Sequence, residues 1–69
     1  MIANYREARE AVGLTAQVAA TKIGVSITTL ISWENGKTSP NAESVICLCK
    51  LYGCTADELL GIVPLKAAR

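Results

Sequence analysis

The chain contains no histidine and no phenylalanine, and its aromatic residues are only Tyr5, Trp33 and Tyr52. Without histidine the usual general base and the commonest metal ligand are missing. No nucleophile, base and orienting group can be assembled from what remains, so the sequence points away from an enzyme. Long apolar runs are also absent, and nothing approaches the roughly 18 residues that a membrane span needs. Between Met1 and Glu10, the charges on Arg6, Glu7, Arg9 and Glu10 break up any signal-peptide core. The expectation is a cytoplasmic protein with no membrane partner and no small-molecule substrate.

Charge of one sign is missing too. Seven basic residues face six acidic ones, for a net charge of +1; without Lys66 and Arg69 the balance is five against six. Bulk charge therefore gives no argument for nucleic acid. Cysteine is scarce and odd in number, with Cys47, Cys49 and Cys54 in a C-x-C-x4-C frame. A disulfide scaffold does not fit this pattern. A three-thiolate metal regulator would lack the usual C-x2-C pairs. The thiols read as small reduced groups, and no cofactor or metal is expected. Asn35-Gly36-Lys37-Thr38 holds a Gly-Lys-Thr triplet without the upstream frame of a phosphate-binding loop.

What is present is a 69-residue chain, 51% hydrophobic and 19% charged. It is long enough for one small domain with a thin core of Ile, Leu, Val, Ala and Cys. Glycine punctuates it at 13, 24, 36, 53 and 61, each time after a stretch of helical pattern. No segment alternates as a strand would. Five helices are predicted. The first spans 2–12, with Ile2, Tyr5, Ala8, Arg9 and Val12 on one face, so that Arg9 falls among apolar neighbours. The second spans 16–23 behind a Thr15 cap, with Val18, Ala19, Ala20 and Ile23 as its apolar positions. The third spans 27–35 behind Ser26. The fourth spans 42–52 behind Asn41, with Val45, Leu48, Cys49 and Tyr52 as its core stripe. The fifth spans 56–60, opened by the Thr55/Glu58 capping box and anchored by Leu59 and Leu60. Residues 1–61 are expected to be the domain and 62–69 a tail.

Helices two and three are separated by only Gly24, Val25 and Ser26. A three-residue turn containing glycine between two short helices is the mark of a helix-turn-helix. Its second helix fits the major groove of B-DNA, about 12 Å wide, and the start of that helix meets base edges.

The stretch from Arg9 to Leu60 resembles the phage-repressor and Cro type of helix-turn-helix. The matching residues are Arg9, Gly13-Leu14-Thr15, Ala20, Ile23-Gly24-Val25-Ser26, Leu30, Trp33-Glu34-Asn35-Gly36-Lys37, Pro40, Leu48, Gly53, Thr55 and Asp57-Glu58-Leu59-Leu60. The most specific part is Trp33 to Lys37, set between Gly24-Val25-Ser26 and Pro40. The resemblance implies an all-α, lambda-repressor-like domain acting as a bacterial or phage transcription regulator or repressor, usually a homodimer on a palindromic operator. It implies a buried ion pair between Arg9 and Glu34. It puts Ile27, Thr28, Ile31 and Ser32 at base edges, and Thr15, Gln17, Thr29, Asn35, Lys37 and Thr38 at phosphates, together with the backbone N–H groups that open helices two and four.

Three features depart from that pattern. Ala16 stands where the family often has a phosphate-touching glutamine. Two groove-facing positions are isoleucine rather than polar. Periodicity alone would bury Ile27, Leu30, Ile31 and Glu34 as one stripe, whereas the resemblance buries Leu30 and Trp33 and exposes the isoleucines. Trp33, the larger apolar group, favours the second arrangement. Ile46, Cys47 and Leu51, at positions the family usually leaves polar, together with Ile62, Val63 and Leu65, suggest a dimer surface or a larger local core. Cys49 and Cys54 fall at core positions. The alternative function is a protein-interaction module, antitoxin-like or a degenerate helix-turn-helix, whose apolar third helix binds protein.

Overall fold

The computed structural model describes residues 3–65. Five helices follow one another: α1 Tyr5–Ala11, α2 Ala16–Ile23, α3 Ile27–Asn35, α4 Ala42–Tyr52 and α5 Ala56–Leu60. There is no strand among the described residues.

Local chemistry sets most of the boundaries. The hydroxyls of Thr15, Ser26 and Thr55 and the amide oxygen of Asn41 accept the N–H three residues on. Each satisfies a donor that the helix start leaves open. At α5 the exchange is reciprocal, since Glu58 Oε1 accepts from the Thr55 N–H at 2.9 Å. The turn between α2 and α3 is made by Gly24, whose φ of 85° lies in the left-handed region that side chains other than glycine's resist. The Val25 N–H then returns to the Ala20 carbonyl at 3.0 Å, closing the helix end.

α1 is shorter than its pattern predicts. It begins at Tyr5, because Asn4 is tied elsewhere: its N–H donates to the Leu59 carbonyl and its Nδ2 to the Glu58 carbonyl, both at 2.8 Å. It ends at Ala11, leaving Val12 exposed beyond it. Ile2 lies outside the described residues.

Leu30 of α3, Leu48 of α4 and Leu59 of α5 are the largest side chains of the core with no exposed surface. Burying one leucine is worth about 1.5–3 kcal/mol. Around them sit Tyr5, Ala8, Ala19, Ala20, Trp33 and Tyr52. Ala19 and Ala20 keep α2 close to α3 and α4. Val18, expected inside, faces solvent, and Leu60 is half-buried. α4 packs against α1, α2 and α5, whereas α3 has α2 and α1 as its main neighbours. The third helix therefore lies at the margin, backed on one side only. The expected tail is not free throughout: Leu65 packs on the core, while Ile62 and Val63 are exposed. Lys66 to Arg69 lie outside the described residues.

Candidate nucleic-acid interface

α3 is held by its inner face. Leu30 and Trp33 are buried, and on the opposite side Ile27 and Ile31 keep 39% and 37% of their surface. That arrangement overrides the apolar stripe that periodicity alone would bury. Ile27 and Ile31 are four residues apart, and so are Thr28 and Ser32, so the two pairs form adjacent rows along the helix. Thr28 is exposed and Ser32 half-buried. Thr29 is half-buried, and its hydroxyl lies 2.9 Å from that of Ser26, which engages it in the helix cap.

Behind α3 stands the Arg9–Glu34 pair. Arg9 Nε donates to Glu34 Oε2 at 2.7 Å and Nη2 to Oε1 at 3.2 Å, while Nη1 donates to the Leu14 carbonyl at 2.9 Å. The side chains are only 10% and 3% exposed. One guanidinium thus fixes α1, the loop before α2 and the last turn of α3 relative to one another. The hydrogen bond to Glu34 holds the guanidinium pKa above its ordinary value, outweighing the opposing effect of burial. Glu34 is therefore spoken for and puts no free carboxylate on the outer face of α3. The Leu14 carbonyl was not foreseeable from side-chain types; only the placement of Arg9 among apolar neighbours hinted that it needed partners.

The residues placed at phosphates are spread around the motif. Thr15 caps α2, and Gln17 is exposed with its Nε2 3.3 Å from the Thr21 hydroxyl. Asn35, Lys37 and Thr38 are exposed at and after the end of α3. Asn35 and Thr38 also line a cleft of about 460 Å³ with Ala3, Tyr5 and Trp33. No acidic residue stands in the first turn of α2 or α3, whereas α1, α4 and α5 each carry one or two there. The positive ends of the two motif helices are therefore unmatched by a carboxylate. Glu43 in the first turn of α4 makes that helix start a poorer anion site than the resemblance implies.

Of the residues placed at a dimer surface, Ile46 and Cys47 on α4 and Ile62 and Val63 after α5 are exposed. Leu51 and Leu65 are half-buried against the chain's own core. The three cysteines form no metal-binding group with other ligands among the described residues, and Cys49 and Cys54 are half-buried as expected. No helix among the described residues is long and apolar enough to cross a membrane.

Comparisons with known proteins agree with this geometry. A helix-turn-helix family model matches residues 6–59. The HTH-type transcriptional activator BcrR of Enterococcus faecalis is 40% identical over 55 residues, which cover 80% of this chain and 27% of that protein. The chain thus spans about a quarter of the length of that relative. Among solved structures, the P22 c2 repressor in complex with a synthetic operator superposes with a TM-score of 0.76 at 30% identity, covering 83% of this chain and 86% of that one. The DNA-binding domain of the same repressor in solution gives 0.77 at 26% identity, covering 96% and 90%. A transcriptional regulator from Listeria innocua gives 0.74 at 25% identity, covering 91% and 63%. Matched over most of its length and sharing the five-helix fold of a repressor's DNA-binding domain, the chain belongs to the helix-turn-helix family of the Cro and C1-repressor type.

Proposed function

We propose that the chain binds double-stranded DNA as a sequence-specific transcription regulator, with α3 in the major groove. The observation that carries this reading is the outer side of α3. Ile27, Thr28, Ile31 and Ser32 form two rows on a helix whose inner side is anchored by Leu30, Trp33 and the Arg9–Glu34 pair. Thr28 and Ser32 hydrogen-bond base edges, and Ile27 and Ile31 pack on thymine methyl groups. Thr15, Gln17, Asn35, Lys37 and Thr38 position the domain on phosphates, with the open N–H groups of α2. Thr29 supports the Ser26 cap and touches the backbone only if that hydroxyl turns outward.

The domain acts as a homodimer through Ile46, Cys47, Ile62 and Val63, with the half-buried Leu51 and Leu65 adding what surface they keep. The reading assigns the chain no reaction and no cofactor, and places it with the DNA in the cytoplasm. Residues 1–61 form the binding domain. The segment after Gly61 contributes to its core through Leu65.

A pool of random duplexes selected on the protein supplies a site, and mobility shift at two salt concentrations then measures binding. Salt-dependent affinity is expected. Thr28→Ala and Ser32→Ala each cost about 1–3 kcal/mol at the selected site and little on random DNA. Equal losses on both kinds of DNA, or none, remove these two from the reading face. Absence of any salt-dependent DNA binding favours the alternative, in which α3 binds protein.

A further inference from the structure

The end of α4 differs from the other helix ends in what its side chains are. The Cys49 carbonyl accepts both the Gly53 N–H at 2.9 Å and the Cys54 N–H at 3.2 Å, with Gly53 in the left-handed region at φ 67°. In this kind of helix end, the residue after the glycine packs its side chain on the residue whose carbonyl it caps. At the end of α2 the corresponding residues are Val25 and Ala20, both part of the apolar core. At the end of α4 they are two cysteines. Their backbones are joined by a hydrogen bond, and both side chains are partly buried against the same core. A disulfide needs close α-carbons and side chains that face one another; the backbone bond supplies the first, and the packing of both side chains on the core at one helix end favours the second. Both residues are half-buried and so not sealed from small oxidants. Cys47 is exposed, but it is only two residues from Cys49 along a helix, and such neighbours point in different directions.

We propose that Cys49 and Cys54 are a redox-active pair that a peroxide converts into an intramolecular disulfide across the turn joining α4 to α5. In the first step one thiolate attacks the peroxide oxygen, the O–O bond breaks, and sulfenic acid and hydroxide form. In the second, the other thiol attacks the sulfenic sulfur; an S–S bond forms, the S–O bond breaks, and the oxygen leaves as water. Overall two thiols and one hydrogen peroxide give one disulfide and two waters. Burial pushes the Cys49 thiol up, which suits it to the second, resolving role rather than the first attack. A dithiol reductant reverses the change. This inference rests on the turn that carries the two thiols and on their partial burial, and is independent of DNA binding.

The test treats the full chain, native, with hydrogen peroxide, blocks the remaining thiols by alkylation and maps tryptic peptides. Cleavage at Lys37, Lys50 and Lys66 puts Cys47 and Cys49 in peptide 38–50 and Cys54 in peptide 51–66. The expected result is a cross-link of these two peptides, lighter by two hydrogens than their sum, with Cys47 alkylated. Cys47→Ser leaves the cross-link in place. Cys49→Ser and Cys54→Ser each abolish it, and dithiothreitol dissolves it in the wild type. Urea-unfolded chain gives a mixture that includes Cys47. A native cross-link through Cys47, sulfinic acids at 49 and 54 without a bridge, or unreacted Cys49 and Cys54 beside oxidised Cys47 each overturn the proposal.

Discussion

Tyr52 is buried, and its hydroxyl has no hydrogen-bond partner among the described residues. Burial, with the nearby Glu34 carboxylate adding to it and Arg9 opposing, pushes its pKa up to about 12 from 10.0. The folded chain thus holds this proton more tightly than the unfolded one. The associated stability is whole below pH 10 and declines as pH rises toward 12, by roughly 2–3 kcal/mol at 1.36 kcal/mol per unit. Tyr5, also raised by burial, adds a decline of the same sign. Tyr52→Phe removes the larger part of this alkaline loss in urea titrations at pH 8 and pH 11. At pH 7 it raises stability by about 1 kcal/mol, because an unpaired buried hydroxyl no longer has to be desolvated. A loss of stability at pH 7 would mean that the hydroxyl has a partner in solution.

The Arg9–Glu34 pair behaves in the opposite way. Arg9→Met strands the Glu34 carboxylate, whose side chain is 3% exposed, and costs about 3–5 kcal/mol. Arg9→Lys recovers little, since an ammonium cannot span both carboxylate oxygens and the Leu14 carbonyl together. The double change to Met and Leu costs less than the two single changes combined; additive losses in a double-mutant cycle would show that the pair is not coupled. The need of Arg9 for a counter-ion was legible because a charged residue on an apolar face demands one; Glu34 as its partner came from the family resemblance. The orphan Tyr52 hydroxyl was not legible, because a tyrosine in a core stripe says nothing about where its oxygen ends.

Among the elements, helix ends were readable where the chemistry that makes them is local. Thr15, Ser26, Asn41 and Thr55 each act within three residues, so α2 to α5 lie where their caps place them. The start of α1 is fixed by Asn4 bonding to α5 across 54 residues, which no local pattern records. The side of α3 that is buried was ambiguous for a related reason. Leu30 belongs to both candidate stripes, and the choice between the isoleucines and Trp33 is made by where α1 and α2 stand. At this scale the turn before α3 gives a direct prediction. A Cβ built on Gly24 meets nothing within 4 Å, so Gly24→Ala carries only the left-handed backbone penalty of about 1–2 kcal/mol. Gly24→Asn costs less, as asparagine tolerates that region. Urea denaturation of the three proteins checks the order glycine, asparagine, alanine; equal stabilities would mean that the turn relaxes out of the left-handed region.

As a whole, the described molecule measures 27 × 23 × 19 Å. Successive major grooves on one side of a duplex are about 34 Å apart, so a single copy reaches one of them. Its charge gives little help: α3 carries no free charge on its outer side, and Arg6 is paired with Glu10 at 3.9 Å. Affinity on a two-fold site then depends on two copies contributing their phosphate contacts together. The exposed Ile46 and Ile62, each with more than half of its surface free, are the places to separate them. Ile46→Asp with Ile62→Asp removes apolar surface that the monomer does not bury, so the helical circular dichroism signal stays near wild type, while the melting temperature falls only by what dimerisation contributes. The wild type sediments as a dimer at micromolar concentration and the double variant as a monomer. Each phosphate neutralised contributes about −0.9 to the slope of log K against log salt. The variant, binding one half-site with one set of contacts, gives about half the wild-type slope. An unchanged slope, or a variant that still sediments as a dimer, places the contact between copies elsewhere on the surface.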